Sequence, residues 1–166
     1  MNAKMRTGIG YDVHPLIAGR KLVLGGVEIP TDKGLDGWSD ADVLTHAIMD
    51  ALLGAAALGD IGSHFPPGDP QYKDISSLVL LEKVRGELAE NGWQVVNIDA
   101  TVLAEKPRLR DYIDPIRQKL SQALGTGADR VSVKASTANG LGFIGRGEGI
   151  AAYATALLEG GKDEDI

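Results

Sequence analysis

The chain has 166 residues and no cysteine. This length suits one domain, since domains usually run to about 100–200 residues. The absence of cysteine excludes disulfides and thiolate metal sites, so any metal ion must be bound by histidine and carboxylate side chains. The formal net charge of -6 disfavours a non-specific nucleic-acid binder, because such proteins are usually basic.

The first half of the chain is predicted to contain short strands followed by a long helix. We predict extended structure over residues 6–14, two strands over 21–24 and 27–29 around a Gly-Gly turn, and a loop over 31–37. The helix is predicted over residues 39–58, because Ser39 and Asp42 match an S-x-x-D capping box and apolar residues follow at helical spacing.

The second half alternates between helices and strands. The predicted elements are a proline-rich loop over 60–73, helices over 76–91 and 112–124, strands over 93–104 and 130–135, and a glycine-rich structured loop over 136–149. Residues 151–158 fit either a helix, by their alanine content, or a strand, by their length. This mixture favours a compact α/β or α+β domain.

We expect one domain over residues 1–159 and a polar, frayed tail over 160–166. The longest apolar stretches, 51–58 and 150–158, fall short of the roughly 18–20 residues that a membrane-spanning helix needs. No secretory signal follows the first residues. We therefore expect a cytoplasmic protein without a membrane partner.

Three residues form the best candidate metal site. Asp12 and His14 are two apart, so on a strand their side chains point to the same face, and His46 lies on the predicted long helix. One carboxylate and two imidazoles leave an open position, as in a catalytic zinc site. Asp42 or Asp50, one helical turn away on either side, are candidates to orient the His46 ring.

The alternative is that His14 packs before Pro15 and that His46 is an ordinary helix histidine paired with a carboxylate. The third histidine, His64, is expected to be an exposed loop residue, because no other ligand lies at metal spacing from it.

Other segments are candidates for binding anions. Residues 59–62 offer backbone amides after a helix end, although a plain C-cap and turn is the simpler interpretation. Lys106 and Arg108 place two cations after a strand, or form a solvated surface pair. Residues 134–137 and the glycine-rich loop with Arg146 suggest hydroxyls, amides and a guanidinium around a phosphate. The alternative for that loop is a connection that needs positive φ angles.

Four segments in this order carry a specific resemblance. They are GIGYDVH at 8–14, SDADVLTH at 39–46, DALLGAAALGDIG at 50–62 and LGFIGRGEGI at 141–150. Together they make the chain, over about residues 6–159, resemble the 2-C-methyl-D-erythritol 2,4-cyclodiphosphate synthase family of the non-mevalonate isoprenoid pathway. The resemblance implies an α+β fold, with a four-stranded mixed sheet that carries helices on one face. It also implies a homotrimer with active sites between subunits, and it makes residues 151–158 a strand.

The implied activity is that of a lyase. It cyclises 4-diphosphocytidyl-2-C-methyl-D-erythritol 2-phosphate to 2-C-methyl-D-erythritol 2,4-cyclodiphosphate and releases CMP. By resemblance, Asp12, His14 and His46 hold zinc, and a second divalent ion, Mg²⁺, binds with the substrate. Thr137 stabilises the transition state, and an isoprenoid diphosphate can occupy a central cavity between subunits.

The resemblance further assigns residues to parts of the substrate. Residues 60–62 contact the methylerythritol unit, 104–110 grip cytidine and its phosphates from a neighbouring subunit, and Ser136 and Thr137 bind phosphate. Phe143 and Arg146 line the inter-subunit cavity. The full implied set for substrate binding is Asp12, His14, Trp38, Ser39, Asp60, Ile61, Gly62, Phe65, Asp69, Ala104, Lys106, Pro107, Arg108, Leu109, Arg110, Ser136, Thr137, Ala138, Asn139, Phe143 and Arg146.

Two positions depart from the family pattern. Trp38 stands where the family usually has a catalytic histidine, and Asn139 where it usually has a glutamate that binds the second metal. An indole cannot carry positive charge, and a neutral amide is a weaker ligand for a hard cation. Two other functions stay open: a zinc hydrolase that activates water with Asp42, Asp50 or Asp60 as base, and a non-catalytic trimer that binds a nucleotide or an isoprenoid diphosphate.

Overall fold

The computed structural model describes residues 4–160, and the predicted tail beyond Gly160 lies outside this range. Its strands are β1 (Met5–Ala18), β2 (Leu22–Leu24), β3 (Val27–Ile29), β4 (Lys33–Leu35), β5 (Trp93–Leu103), β6 (Val131–Ser136) and β7 (Gly149–Gly160). The main sheet has the order β4-β1-β7-β5-β6, and β2 and β3 form a separate antiparallel hairpin. Strands β5 and β6 are parallel and the other pairs of the main sheet are antiparallel, so the sheet is mixed.

The helices are α1 (Val43–Ala56), α2 (Ile61–His64), α3 (Ser77–Glu90), α4 (Ile113–Leu124) and α5 (Gly142–Gly145). Single 3-10 turns cover Pro70–Tyr72, Arg110–Tyr112 and Ala128–Arg130. The predictions for α3, α4, β5 and β6 are confirmed to within one or two residues at each end. Among residues 4–160, none of the helices combines the length and the apolar character that crossing a bilayer requires.

The predicted four-stranded sheet is wrong by one strand. Residues 33–35, expected within a loop, pair with the end of β1, with Leu35 opposite Leu16. Three residues are too few to show strand alternation. Gly34 lies so close to the backbone of Arg20 and Lys21 that a side chain there would overlap it, so this strand depends on a tertiary contact.

The long helix begins later than the capping-box interpretation predicted. Its N-cap is Asp42, whose carboxylate accepts from the Thr45 amide at 3.0 Å. The preceding Ala41 has a positive φ of 56°, so residues 39–41 cannot continue the helix backwards. Asp42 also accepts from the amides of Gly25 and Gly26. Its buried carboxylate therefore joins the start of α1 to the turn of the β2–β3 hairpin.

Helix α1 lies directly on strands β1 and β7. A side chain at Gly8 would overlap the carbonyl oxygen of Ala51, and one at Gly10 that of Ala47. The glycines therefore permit a very close approach of helix and strand. Because Asp12 and His14 share this face of β1 with Gly8 and Gly10, their side chains point toward α1.

The opposite face of the sheet carries uncovered apolar side chains. Ile9 is 71% exposed, Tyr11 and Tyr153 are each 46% exposed, and the two tyrosine rings lie 4.8 Å apart between centroids. Val13 continues this face, 40% exposed. Contiguous exposed apolar surface of this kind is typical of sites where proteins bind ligands or other proteins.

Candidate active site

Asp12, His14 and His46 converge on one point between β1 and α1. Asp12 Oδ2 lies 2.9 Å from His14 Nε2 and 3.0 Å from His46 Nδ1, and the two ring nitrogens are 3.2 Å apart. One ligand atom from each residue lies within 4.8 Å of the others, as a shared metal ion requires. The chemistry of this donor set, one carboxylate oxygen and two imidazole nitrogens, fits zinc.

The second nitrogen of each ring is occupied on the protein side. His14 Nδ1 donates to the Asp36 carbonyl at 2.7 Å. His46 Nε2 lies 2.9 Å from Ser77 Oγ and 3.2 Å from Ser39 Oγ. Such partners set which ring nitrogen offers its lone pair to a metal. Both rings are therefore held in orientations that direct the free nitrogen to the common point.

The carboxylates predicted to orient His46 have other partners. Asp42 accepts from Thr45 and the hairpin amides, and Asp50 accepts from the Ile61 amide at 2.9 Å. Asp50 therefore positions the start of α2 rather than the imidazole. Burial raises the pKa of Asp50, and the Ile61 hydrogen bond opposes that shift.

The charge state of Asp12 follows from its two histidine neighbours. Burial raises its pKa, but hydrogen bonds and charge from His14 and His46 outweigh burial and bring the pKa to about 2. Burial lowers the pKa of His14, and the contact with Asp12 outweighs it, so that the pKa is raised. Asp12 is therefore ionised at neutral pH and available as an anionic ligand.

A cavity of about 250 Å³ opens over the three ligands. Seven of the residues that the resemblance assigns to substrate binding line this cavity: Asp12, His14, Trp38, Ser39, Ile61, Gly62 and Phe65. Asp60 and Asp69 lie outside this lining. Asp60 caps α2 by accepting from the Ser63 amide, and Asp69 accepts from the Trp38 indole through its backbone carbonyl, at 2.8 and 2.9 Å. The one indole donor of Trp38 is therefore used at the rim of the cavity.

His64 lies at the end of helix α2, and the prediction of an exposed loop residue is wrong. It ends α2, half-buried, with Nε2 donating to the Leu58 carbonyl at 2.8 Å and Nδ1 3.0 Å from a Glu87 carboxylate oxygen. The Leu58 hydrogen bond is the largest cause that raises the pKa of His64, and Glu87 adds to it against partial burial. His64 therefore ties α2 to α3.

A second group of implied residues lines a separate cleft of about 440 Å³. These residues follow the ends of β5 and β6: Ala104, Pro107, Arg108, Leu109, Arg110, Ser136 and Thr137. Lys106 and Arg146 line an adjacent cleft. The structure thus brings the predicted cations and hydroxyls to one end of the sheet, although Arg146 pairs with Glu148 at 2.8 Å and Lys134 with Asp99.

Glu105 is a residue that the sequence analysis missed. Its carboxylate accepts from the amides of Ala138 and Gly140, each at 3.1 Å. Between these amides lies Asn139, which has a positive φ of 52°, a conformation that asparagine tolerates better than most residues. Glu105 therefore holds the loop after β6 against the loop after β5.

The two groups do not meet within one chain. Val13 pairs with Ala151, Ala151 with Leu103, and Leu103 with Ser136. Three strand spacings, about 14 Å, thus separate the backbone of β1 beside Asp12 and His14 from that of Ser136. Phe143, 41% exposed on α5, lines neither the metal cavity nor the cleft beside Ser136.

The chain matches known proteins over nearly its whole length. The YgbB family model matches residues 5–159. The 2-C-methyl-D-erythritol 2,4-cyclodiphosphate synthase of Dehalococcoides mccartyi is 62% identical over 155 residues, which cover 93% of this chain and 99% of that protein.

Two solved structures extend the likeness to the fold. The bifunctional IspDF of Campylobacter jejuni matches 96% of this chain with a TM-score of 0.92 and 40% identity, and the match spans 43% of that longer chain. The CDP complex of Plasmodium falciparum IspF matches 98% of this chain and all of its own, with a TM-score of 0.84 and 30% identity. The chain therefore belongs to the YgbB family, the family of 2-C-methyl-D-erythritol 2,4-cyclodiphosphate synthases.

Proposed function

We propose that this protein cyclises 4-diphosphocytidyl-2-C-methyl-D-erythritol 2-phosphate to 2-C-methyl-D-erythritol 2,4-cyclodiphosphate and releases CMP, as a lyase of the non-mevalonate isoprenoid pathway. The observation that carries the proposal is the convergence of Asp12, His14 and His46 beneath a cavity. The chain is also 62% identical to a relative named 2-C-methyl-D-erythritol 2,4-cyclodiphosphate synthase. A cytoplasmic location stays a prediction of the sequence.

The reaction needs little covalent chemistry from the chain. An oxygen of the 2-phosphate attacks the β-phosphorus, and the bond between that phosphorus and the bridging oxygen breaks. CMP leaves with the electron pair on that oxygen. Because the nucleophile belongs to the substrate, the protein acts by holding the two phosphates in line and by neutralising charge.

The metal group supports a resident zinc ion. When bound, zinc supplies a Lewis acid and a template for phosphate oxygens. Asp12, His14 and His46 would hold it, and Ser39 lines the same cavity with a hydroxyl. The second divalent ion, Mg²⁺, would bind with the diphosphate near Asn139, whose neutral oxygen is a weaker ligand than a carboxylate.

The clefts at the other end of the sheet support nucleotide binding. We assign the loop over 104–110 to cytidine and its phosphates, and the hydroxyls of Ser136 and Thr137 to the phosphates, with Thr137 stabilising the transition state. Lys106, Arg108 and Arg110 provide the positive charge that a diphosphate requires. The CDP bound by the Plasmodium falciparum IspF supports a cytidine nucleotide as the ligand.

The separation of the two groups supports an assembly in which neighbouring chains complete each site. The uncovered apolar face around Ile9, Tyr11 and Tyr153 offers the surface through which copies associate. We propose a homotrimer with these faces around its axis. Phe143 and Arg146 then border a central cavity able to admit an isoprenoid diphosphate.

A hydrolase with the same metal group is the second candidate, and the carboxylates argue against it. Asp42 is fully buried and accepts from three backbone amides and the Thr45 hydroxyl. Asp50 and Asp60 accept from the Ile61 and Ser63 amides. Each candidate general base is therefore engaged in holding the backbone.

The test is incubation of the zinc-loaded protein with the cytidine substrate and Mg²⁺, followed by phosphorus NMR of the products. We expect CMP and the cyclic diphosphate. The variant His64→Ala serves as the matched control and should retain the product pattern, because His64 contacts Leu58 and Glu87 rather than the cavity. CMP with an open-chain product would favour the hydrolase, and no turnover would favour a binding protein.

A further inference from the structure

The Nε2 edge of the His46 ring contacts a hydrogen-bonded pair of side chains, Ser77 and Asp40. His46 Nε2 lies 2.9 Å from Ser77 Oγ, and Ser77 Oγ lies 2.5 Å from Asp40 Oδ1. Ser77 is fully buried and His46 is 7% exposed. These hydrogen bonds join the first turn of α3 to helix α1 and to the loop just before it, which lie 31 and 37 residues away in sequence.

The direction of the hydrogen bonds follows from the chemistry of the three groups. An ionised carboxylate only accepts, so the single hydroxyl proton of Ser77 is donated to Asp40. Ser77 Oγ then has only lone pairs to offer toward the ring, and His46 Nε2 must carry the proton. The lone pair of His46 is thereby placed on Nδ1, the nitrogen 3.0 Å from Asp12 Oδ2.

Asp40 is itself held in place by backbone amides. Its Oδ2 accepts from the Ser77 amide at 2.9 Å, and its Oδ1 accepts from the Asp42 amide at 3.1 Å. The N-cap residue of α3, Ser76, makes no capping hydrogen bond with its own side chain. Asp40 therefore caps α3 from another segment, and the same contact orients the Ser77 hydroxyl.

Ser39 provides a weaker alternative contact for the ring. Its Oγ lies 3.2 Å from His46 Nε2 and also accepts from the Ala41 amide at 3.3 Å. Among residues 4–160, no carboxylate accepts its hydroxyl proton and directs it away from the ring, so Ser39 does not select one ring nitrogen. The selection rests on the Asp40–Ser77 pair.

We propose that Asp40 and Ser77 are positioning residues of the metal site, which keep His46 protonated on Nε2 so that Nδ1 is the metal ligand. The inference rests on the metal site of the proposed function. It adds two residues that act through His46 and touch neither the metal nor the substrate.

The first test compares zinc affinity in the full-length variants Ser77→Ala and Ser76→Ala, by competition with a chelator. Loss of an outer partner of a metal-bound histidine typically costs about 10- to 100-fold in metal affinity, and we expect a loss of this size for Ser77→Ala. The matched control Ser76→Ala removes a neighbouring exposed hydroxyl and should change the affinity less than about twofold. Equal affinities in the two variants would overturn the proposal.

A second test needs no variant at position 77. The chain has three histidines, so nitrogen-15 NMR of the unsubstituted protein, before and after zinc is removed by a chelator, resolves each ring. We expect His46 to keep its Nε2 proton without zinc. A zinc-free His46 ring that carries a proton on Nδ1 and none on Nε2 would contradict the proposal, whatever happens to the folding of Ser77→Ala.

A double-mutant cycle separates positioning from simple destabilisation. If Asp40 and Ser77 act through one hydrogen bond, Asp40→Asn and the double variant should weaken zinc binding about as much as Ser77→Ala alone, because effects within one network are not additive. Additive losses would overturn the shared route. The cycle measures zinc affinity and not catalysis. If the unsubstituted protein showed no cyclase activity, the proposed function would be refuted and this inference would still stand.

Discussion

The two halves of the proposed active site differ in how completely a single chain builds them. Around the metal group, His46 is 7% exposed and each ring nitrogen has a partner within 3.2 Å. In the cleft after β5 and β6, the hydroxyls of Ser136 and Thr137 are exposed, and the Thr137 hydroxyl contacts Asn139 at 3.4 Å. The metal half is therefore pre-organised, whereas the hydroxyls of the nucleotide half are still able to form hydrogen bonds with a ligand.

The difference has a structural cause. The metal group lies between a strand and a helix whose backbones nearly touch at Gly8 and Gly10, so its side chains have few alternative positions. The nucleotide half consists of two loops, which are joined by the Glu105 carboxylate and by a hydrogen bond from the Ala104 amide to the Ser136 carbonyl. We infer that the metal half binds its ion without residues from a neighbouring chain, whereas the nucleotide half is completed by the substrate and by another chain.

The largest expected effect is the loss of the metal from the first half. His46→Ala removes one of the three proposed ligands, and we expect metal analysis to give almost no zinc for this variant and one ion per chain for the unsubstituted protein. The loss should exceed the roughly 10- to 100-fold cost of removing an outer partner. The helix should persist, because alanine has the highest helix propensity. His64→Ala is the control with full zinc content, and a full complement in His46→Ala would contradict the ligand assignment.

The next prediction tests whether the two halves come from different chains. His46→Ala damages the metal half and Thr137→Ala damages the nucleotide half, so each variant alone should be nearly inactive. If the variants are unfolded and refolded together, random assembly into a closed ring should place intact halves together in about one quarter of the sites. CMP release should therefore recover to about that fraction, and the mass by light scattering should be that of three 17.5 kDa chains. No recovery in a mixed trimer would show that each chain builds its own site.

A smaller effect is expected from restoring a charged ligand in the second half. Asn139→Glu should lower the Mg²⁺ concentration for half-maximal CMP release by at least several-fold, because charge-assisted contacts are stronger than neutral ones. The positive φ of 52° at this position opposes part of the gain, since glutamate adopts it less readily than asparagine.

The matched control for that titration is Asn139→Gln, which lengthens the side chain without adding charge and should give no such gain. Zinc content should be the same in all three proteins. If the Mg²⁺ titration curves of Asn139→Glu and of the unsubstituted protein superimposed, residue 139 would not lie beside the second metal.

The smallest effect concerns how firmly α2, which carries Ile61 and Gly62 of the first half, is held. The pKa of His64 is raised in the folded protein above the ordinary 6.5, so its stabilisation is present below that value and is lost as the pH rises through the folded pKa. His64→Ala should therefore lower the free energy of unfolding by about 0.5–1.5 kcal/mol near pH 5.5. The cost should be smaller near pH 9, and urea unfolding at both pH values measures it. If His64→Ala lowered the free energy of unfolding equally at both pH values, a charged His64–Glu87 contact would be excluded.

The sequence by itself determined much of the first half of the site. The D-x-H spacing places two ligands on one face of a strand because side chains alternate along it, and the absence of cysteine leaves histidine and carboxylate as the metal donors. The Gly-Gly turn and the helices α3 and α4 were likewise predictable, because turn chemistry and helical periodicity are local properties.

Tertiary structure alone decided the features that depend on distant contacts. Residues 39–42 look like a helix start, yet they form a loop because Asp42 binds the hairpin amides and Asp40 caps α3. Ser77 is 31 residues from His46, and β4 exists only where β1 is available to pair with it. The separation of the metal and nucleotide halves follows from the strand order. Local sequence patterns report turns, periodicity and residue chemistry, whereas the partners of a side chain are set by which segments the fold brings together.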